Sequence, residues 1–263
     1  MIINSKGRKS FTLVEILIII CAIGALISLI FPVVTQAILS SRKTSIANSM
    51  RQILSAYKNQ LAQTNHPLSE TDIDAFLAST SFQKNANAFI AYLVNQHHLP
   101  NSPKLCTANY DYMLKAVLKH DESAKIPIGI INDQNGMDKD FATIPTCFVL
   151  CINIPIDMPP STPILWTRGL GTDGKWHWPS GNYCNRDTKN QSYNNGSFFG
   201  QVEGGFIGFA DGTVKWYEDL VGNDGQGELF EYGRAIRTKN VLRALPPGTI
   251  QASWNGCAND AMP

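Results

Sequence analysis

Nineteen consecutive residues near the N-terminus, Ile16 to Val34, carry no charge and read ILIIICAIGALISLIFPVV. As a helix rising about 1.5 Å per residue, this stretch is about 30 Å long, the thickness of a bilayer hydrocarbon core. Lys6, Arg8 and Lys9 precede it and no further cation occurs until Arg42, an asymmetry that predicts a cytoplasmic N-terminus. The run exceeds the apolar core of about 7–15 residues found in a cleaved secretory signal. It also ends on Phe31-Pro32-Val33-Val34 instead of a small-x-small cleavage site. A retained membrane segment over about residues 13–34 is therefore expected. Glu15 is the single charge between residues 11 and 41. An acid inside an apolar span costs about 2.5–3.5 kcal/mol on insertion scales, less near the interface, and usually marks function.

Past Ser40 the apolar residues Ile46, Met50, Ile53, Leu54, Tyr57 and Leu61 recur three and four apart, one stripe of an amphipathic helix. Asn65-His66-Pro67 ends it, because proline disfavours helix in the residue before it. One spine helix over residues 11–64 is predicted, leaving 65–263 as a head. Residues 68–120 of the head read helical. Ser69-x-x-Asp72 and Thr71-x-x-Asp74 are capping-like starts, and Phe82, Ala86, Phe89, Ile90, Leu93 and Val94 form a second stripe. Tyr110 to Leu118 suggests a third, short helix. Residues of about 145–250 read as β-rich, since most of the 20 glycines and all five tryptophans lie beyond residue 164. The stretch from Cys147 to Ile154 fits a buried strand, with a helical turn as the alternative. The fold class expected is α+β, a long N-terminal helix packed on short helices and a C-terminal antiparallel sheet.

The clearest local signal in the head is the block Gly205 to Tyr217, in which two β-prone runs flank Asp211-Gly212. Asp-Gly tolerates the positive φ angles of a two-residue hairpin. Five cysteines fall in the head, Cys106, Cys147, Cys151, Cys184 and Cys257, an odd number with no connectivity assigned. Cys147 and Cys151 meet only if their stretch is helical or turned, because in a strand they stand about 13 Å apart. The five histidines form no His-x3-His pair followed by an acid, and no nucleophile elbow, Walker loop or dinucleotide fingerprint occurs. The chain is accordingly not read as an enzyme. Asp219, Asn223, Asp224 and Glu228 offer hard oxygen ligands in a glycine-rich loop, a calcium candidate without EF-hand spacing and the one cofactor considered. A formal charge of +1 excludes binding of nucleic acid by bulk electrostatics.

Lys9-Ser10-Phe11-Thr12-Leu13-Val14-Glu15, followed at once by the apolar run, resembles the class III leader of type IV pilins and type II secretion pseudopilins. The resemblance implies a leader of residues 1–10, cleavage by a prepilin peptidase between Ser10 and Phe11, and N-methylation of Phe11. It implies an assembly role for Glu15, fifth in the mature chain. Ser10 stands where that family prefers glycine. The Asp211-Gly212 block resembles the prepilin-type H-x9-D-G domain, whose histidine position is Gln201 here. Pro163–Leu170 and Ala244-Leu-Pro-Pro-Gly look like landmarks of the same group. Together these imply a structural subunit, pseudopilin or minor pilin, held by a single pass in a bacterial inner membrane with a periplasmic head and assembled into a fibre. Its implied partners are the peptidase, other subunits through the spine helix, and an inner-membrane assembly platform. Loss of residues 1–10 takes the formal charge from +1 to −2, so nucleic acid is not an expected partner. The alternative is a single-pass, membrane-tethered periplasmic binding protein that does not polymerise.

Overall fold

The computed structural model describes residues 12–77, 85–108, 111, 114, 115, 117, 118, 125–134, 136–177 and 204–253. Helix α1 runs from Leu13 to Thr64 and includes Pro32. Asn65, with φ of +51°, ends it where the Asn-His-Pro signal lies. The chain divides into two compact units at Ile46/Ala47. In the first, every large apolar side chain from Leu13 to Val34 is exposed, and the helix is long and apolar enough to cross a membrane. Pro32 has no N–H to give the carbonyl of Ser28. One turn on, Thr35 Oγ1 donates to the Pro32 carbonyl at 2.8 Å.

The second unit is the α+β head, and its core starts with α1 itself. Met50, Ile53, Leu54, Tyr57 and Leu61 are buried, as the three–four spacing requires. Helix α2 (Glu70–Leu77) opens on a closed cap, since the Ser69 N–H and hydroxyl both donate to Asp72 Oδ2, at 2.8 and 2.7 Å. Ser69 is therefore the start, and Thr71 lies inside the helix. Helix α3 (Ala86–Asn95) is capped by Asn85, whose side chain accepts from the Ala88 N–H, and it buries every residue from Ala86 to Val94. Its one polar interior residue, Asn87, donates from Nδ2 to the carbonyls of Phe141 and Ile144 at 2.6 and 3.0 Å. That ties α3 to the short helix α4 (Lys139–Thr143). Leu114, Lys115, Val117 and Leu118 are helical too, where a third short helix is expected from the sequence.

Five strands form an antiparallel sheet in the order β4-β3-β2-β1-β7: β1 (Phe148–Ile152), β2 (Pro163–Thr167), β3 (Gly205–Phe209), β4 (Val214–Tyr217) and β7 (Ile250–Ala252). A separate pair, β5 (Leu229–Phe230) and β6 (Arg237–Thr238), lies outside it. The stretch after Cys147 is thus a strand. Cys147 and Cys151 cannot meet along it, and Cys106, Cys147 and Cys151 are buried free thiols. Burial pushes all three thiols well above the ordinary thiol range, so they sit in the core as small hydrophobes. Cys184 and Cys257 lie outside the described residues.

Strands β1, β2 and β3 are buried along their whole length. On one face Leu54 of α1 lies so close to Gly208 that a Cβ there would be 2.7 Å from its Cδ1. Just beyond the end of β2, Arg168 is fully enclosed. Its Nη2 meets Asp111 Oδ1 at 2.7 Å, and its Nη1 donates to the Thr146 carbonyl at 2.7 Å. Losing either partner of such a buried pair strands a charge in a low-dielectric interior. Gly208→Val in the full chain is expected to lower the unfolding midpoint, at a cost of about 1–3 kcal/mol from overpacking against Leu54. In a Leu54→Ala background the same change should cost measurably less, and a double-mutant cycle from denaturant titrations checks the coupling.

Candidate functional site

Two regions carry the residues singled out above, the start of α1 and the β3–β4 hairpin with the loops beside it. At the helix start, the Thr12 N–H and hydroxyl both donate to Glu15 Oε2, at 2.8 and 3.0 Å, while the Glu15 N–H donates to Thr12 Oγ1 at 3.2 Å. This is a reciprocal capping box that satisfies backbone donors left over at the first turn. Glu15 thus has a local structural task beside any role between molecules. The Thr12-x-x-Glu15 spacing carries this signal in the sequence. Ser10 and Phe11 lie outside the described residues, as does Gln201.

The hairpin forms where Asp211-Gly212 predicts one, with a different loop. The Phe209 N–H donates to the Thr213 carbonyl and the Gly212 N–H to the Phe209 carbonyl, both at 2.9 Å. Three residues, not two, therefore lie between the closing pair Phe209 and Thr213. Only Gly212, at φ of +92°, occupies the left-handed side, and Ala210 and Asp211 stay at negative φ. This is a type I turn closed by a glycine bulge, which needs one positive φ, at Gly212, where a type I′ turn needs two. Asp211 Oδ1 accepts from the Thr213 N–H and hydroxyl, both at 2.7 Å. Burial opposes ionisation of Asp211, yet those hydrogen bonds, with Lys215 and Lys58 nearby, hold its carboxyl below the ordinary range. Lys58 Nζ of α1 also donates to the Asp211 carbonyl at 3.2 Å. Asp173-Gly174 is likewise a turn, with Gly174 at φ of +84° and Asp173 Oδ1 bonded to the Lys175 N–H and to His177.

The four calcium candidates lie on one loop with distinct contacts. Asp219 Oδ1 accepts from the Val221 and Gly222 N–H groups, a turn stabilised by its own side chain. Arg237 of β6 donates to Asp224 Oδ2 at 2.6 Å and lies 4.0 Å from Glu228. The protein thus sets a guanidinium between those two carboxylates, while Asn223 is exposed. Among the described residues, no group of three or more His, Cys, Asp or Glu side chains is placed to hold a metal ion.

Comparison with protein-family models, with curated proteins and with solved structures finds no match. The structure itself gives a long N-terminal apolar helix followed by a small α+β head, an architecture compatible with a membrane-anchored, pilin-like chain.

Gly212→Val forces a β-branched side chain to positive φ and is expected to destabilise the full chain by about 1–3 kcal/mol. Gly212→Asn should cost clearly less, since asparagine tolerates the left-handed region. Parallel thermal melts of the two variants check the loop type, and equal losses would contradict it.

Proposed function

We propose that this chain is a pseudopilin or minor-pilin-like structural subunit. In this reading it is anchored in a bacterial inner membrane by α1, with its head in the periplasm, and assembles into a fibre through the exposed apolar half of that helix. The observation that carries the reading is the division of labour within α1. From Leu13 to Val34 its large apolar side chains are exposed, while from Met50 to Leu61 its stripe is built into the core of the head. An uncovered apolar helix of this length is stable only in lipid or against other helices. The basic-Phe-Thr-Leu-Val-Glu leader pattern at residues 8–15 supplies the processing signal for that assembly. In this account Glu15 keeps its carboxylate for the amine of a neighbouring subunit, created at Phe11 by cleavage, and the pairing fixes axial register.

The second reading is a membrane-tethered binding protein that never polymerises, in which the hollows on the head described below would be its working site. Shearing cells and blotting for the chain separates the two. Release of sheared material supports the fibre, and a chain found only in membranes supports the tether.

Two measurements test the subunit reading directly. Mass spectrometry of the mature chain should find N-terminal Phe11, methylated, and an intact Met1 start would defeat it. For Glu15, capping and register make opposite demands. Glu15→Gln keeps an acceptor for Thr12 and removes the charge, whereas Glu15→Val removes both. If the charge sets register, both variants are inserted and cleaved but neither enters fibres as the sole copy. Normal assembly of Glu15→Gln beside failure of Glu15→Val would reduce Glu15 to a helix cap.

A further inference from the structure

Two open hollows lie side by side on the head. The first, about 240 Å³, sits between the β3–β4 hairpin, β5 and the Pro160-Ser161 segment that precedes β2. The second, about 370 Å³, sits between that same segment and the turn over residues 231–235. Ser161 and Phe230 contribute to the walls of both, so Phe230 forms the partition. β5 alternates as a strand must, with Leu229 buried and Phe230 turned outward at 52% exposure. Burying a phenylalanine ring is favourable, so a half-exposed ring between two hollows is a surface with binding energy unspent.

We propose that the paired hollows bind a neutral oligosaccharide laid across Phe230. A pyranose ring presents an apolar face of C–H groups and a belt of hydroxyls, each able to donate and accept. The first hollow matches both halves. Half-buried Tyr217 and exposed Phe230 supply the aromatic surface, and buried Phe209 backs Tyr217 edge to face, 6.4 Å between centroids. Around them stand one cation, Lys215, two carboxylates, Asp211 and Glu228, and the hydroxyls of Ser161 and Thr213. Lys215 Nζ lies 5.8 Å from the centre of the Phe209 ring, held over the aromatic surface. Thr213 fixes Asp211 Oδ1, and no hydrogen bond to Oδ2 occurs among the described residues.

The second hollow repeats the theme. Phe230 and Tyr232 face it together with Glu231 and Arg234, which pair with each other at 3.4 Å. Both hollows therefore carry charges of each sign. A polyanion would meet Asp211, Glu228 and Glu231, and a polycation would meet Lys215 and Arg234, so neither is favoured. An uncharged ligand with many hydroxyls and one apolar face satisfies the lining, and two hollows with a shared aromatic wall require more than one ring. The inference is independent of fibre assembly, because a subunit and a tethered monomer present the same head.

The test uses the full chain in detergent micelles. Calorimetric titrations compare neutral β-linked gluco-, manno- and xylo-hexasaccharides with the corresponding monosaccharides, a uronic-acid hexamer and a single-stranded oligonucleotide. At least one neutral hexamer should bind, and its monosaccharide should bind at least tenfold more weakly. Phe230→Ala should weaken hexamer binding at least tenfold with little change in melting temperature. Lys215→Ala, an exposed position in the first hollow, should weaken it at least threefold. Ile236→Ala removes a side chain of similar exposure, 54%, outside both hollows and should leave binding unchanged. Absence of binding by every neutral hexamer, binding only of the charged probes, or equal affinities of the Phe230→Ala and Ile236→Ala chains would overturn the proposal. Because fibre assembly is not assayed, these outcomes leave the subunit reading to its own test.

Discussion

A single helix has to satisfy two different surroundings, and most of this structure follows from how α1 does so. Its first half is apolar all round, which suits lipid or a bundle of like helices and nothing aqueous. Its second half confines apolar residues to a stripe, and Met50, Ile53, Leu54 and Tyr57 of that stripe are fully enclosed by the head. The strand that receives Leu54 gives up a side chain at Gly208 to admit it. The β3–β4 hairpin then reaches back to α1 through Lys58 and the Asp211 carbonyl. The head is thus organised around a helix segment whose other end is unsuited to water.

The parts of this arrangement that depend on period and punctuation were legible in the chain. The three–four stripe, the Asn-His-Pro stop, the Ser69–Asp72 cap and the Asp-Gly turn are all local, and local geometry is what a sequence encodes most directly. The loop length of the hairpin was not legible, because Asp-Gly fits both a primed two-residue turn and a glycine-bulged loop. The choice follows from contacts far along the chain, where the Ala210 and Asp211 N–H groups donate to the carbonyls of Thr162 and Pro160.

The candidate sites divide along the same line. Thr12 and Glu15 are three residues apart, and their cap was available to a reader who set aside the membrane question. Arg168 and Asp111 are far apart in sequence, and nothing in either neighbourhood announces that a charged pair will be buried there. The hollows beside Phe230 assemble from a pre-strand segment, a hairpin and a two-residue strand, so no contiguous motif describes them. Asp224 and Glu228 looked like cation ligands by residue type. Their nearest cation is Arg237, which comes from a different strand and was invisible to a reading of the loop alone.

The strand order has a consequence for the timing of synthesis. β7 closes the sheet beside β1, pairing Ile250, Gln251 and Ala252 with Ile152, Cys151 and Leu150. Until β7 has been made, β1 presents an open edge lined with buried-type side chains, the kind of surface that recruits the wrong partner. The apolar half of α1 leaves the ribosome long before that strand. The head is therefore still incomplete when that segment emerges. Vectorial synthesis thus places the apolar half of α1 first and the strand that covers β1 late.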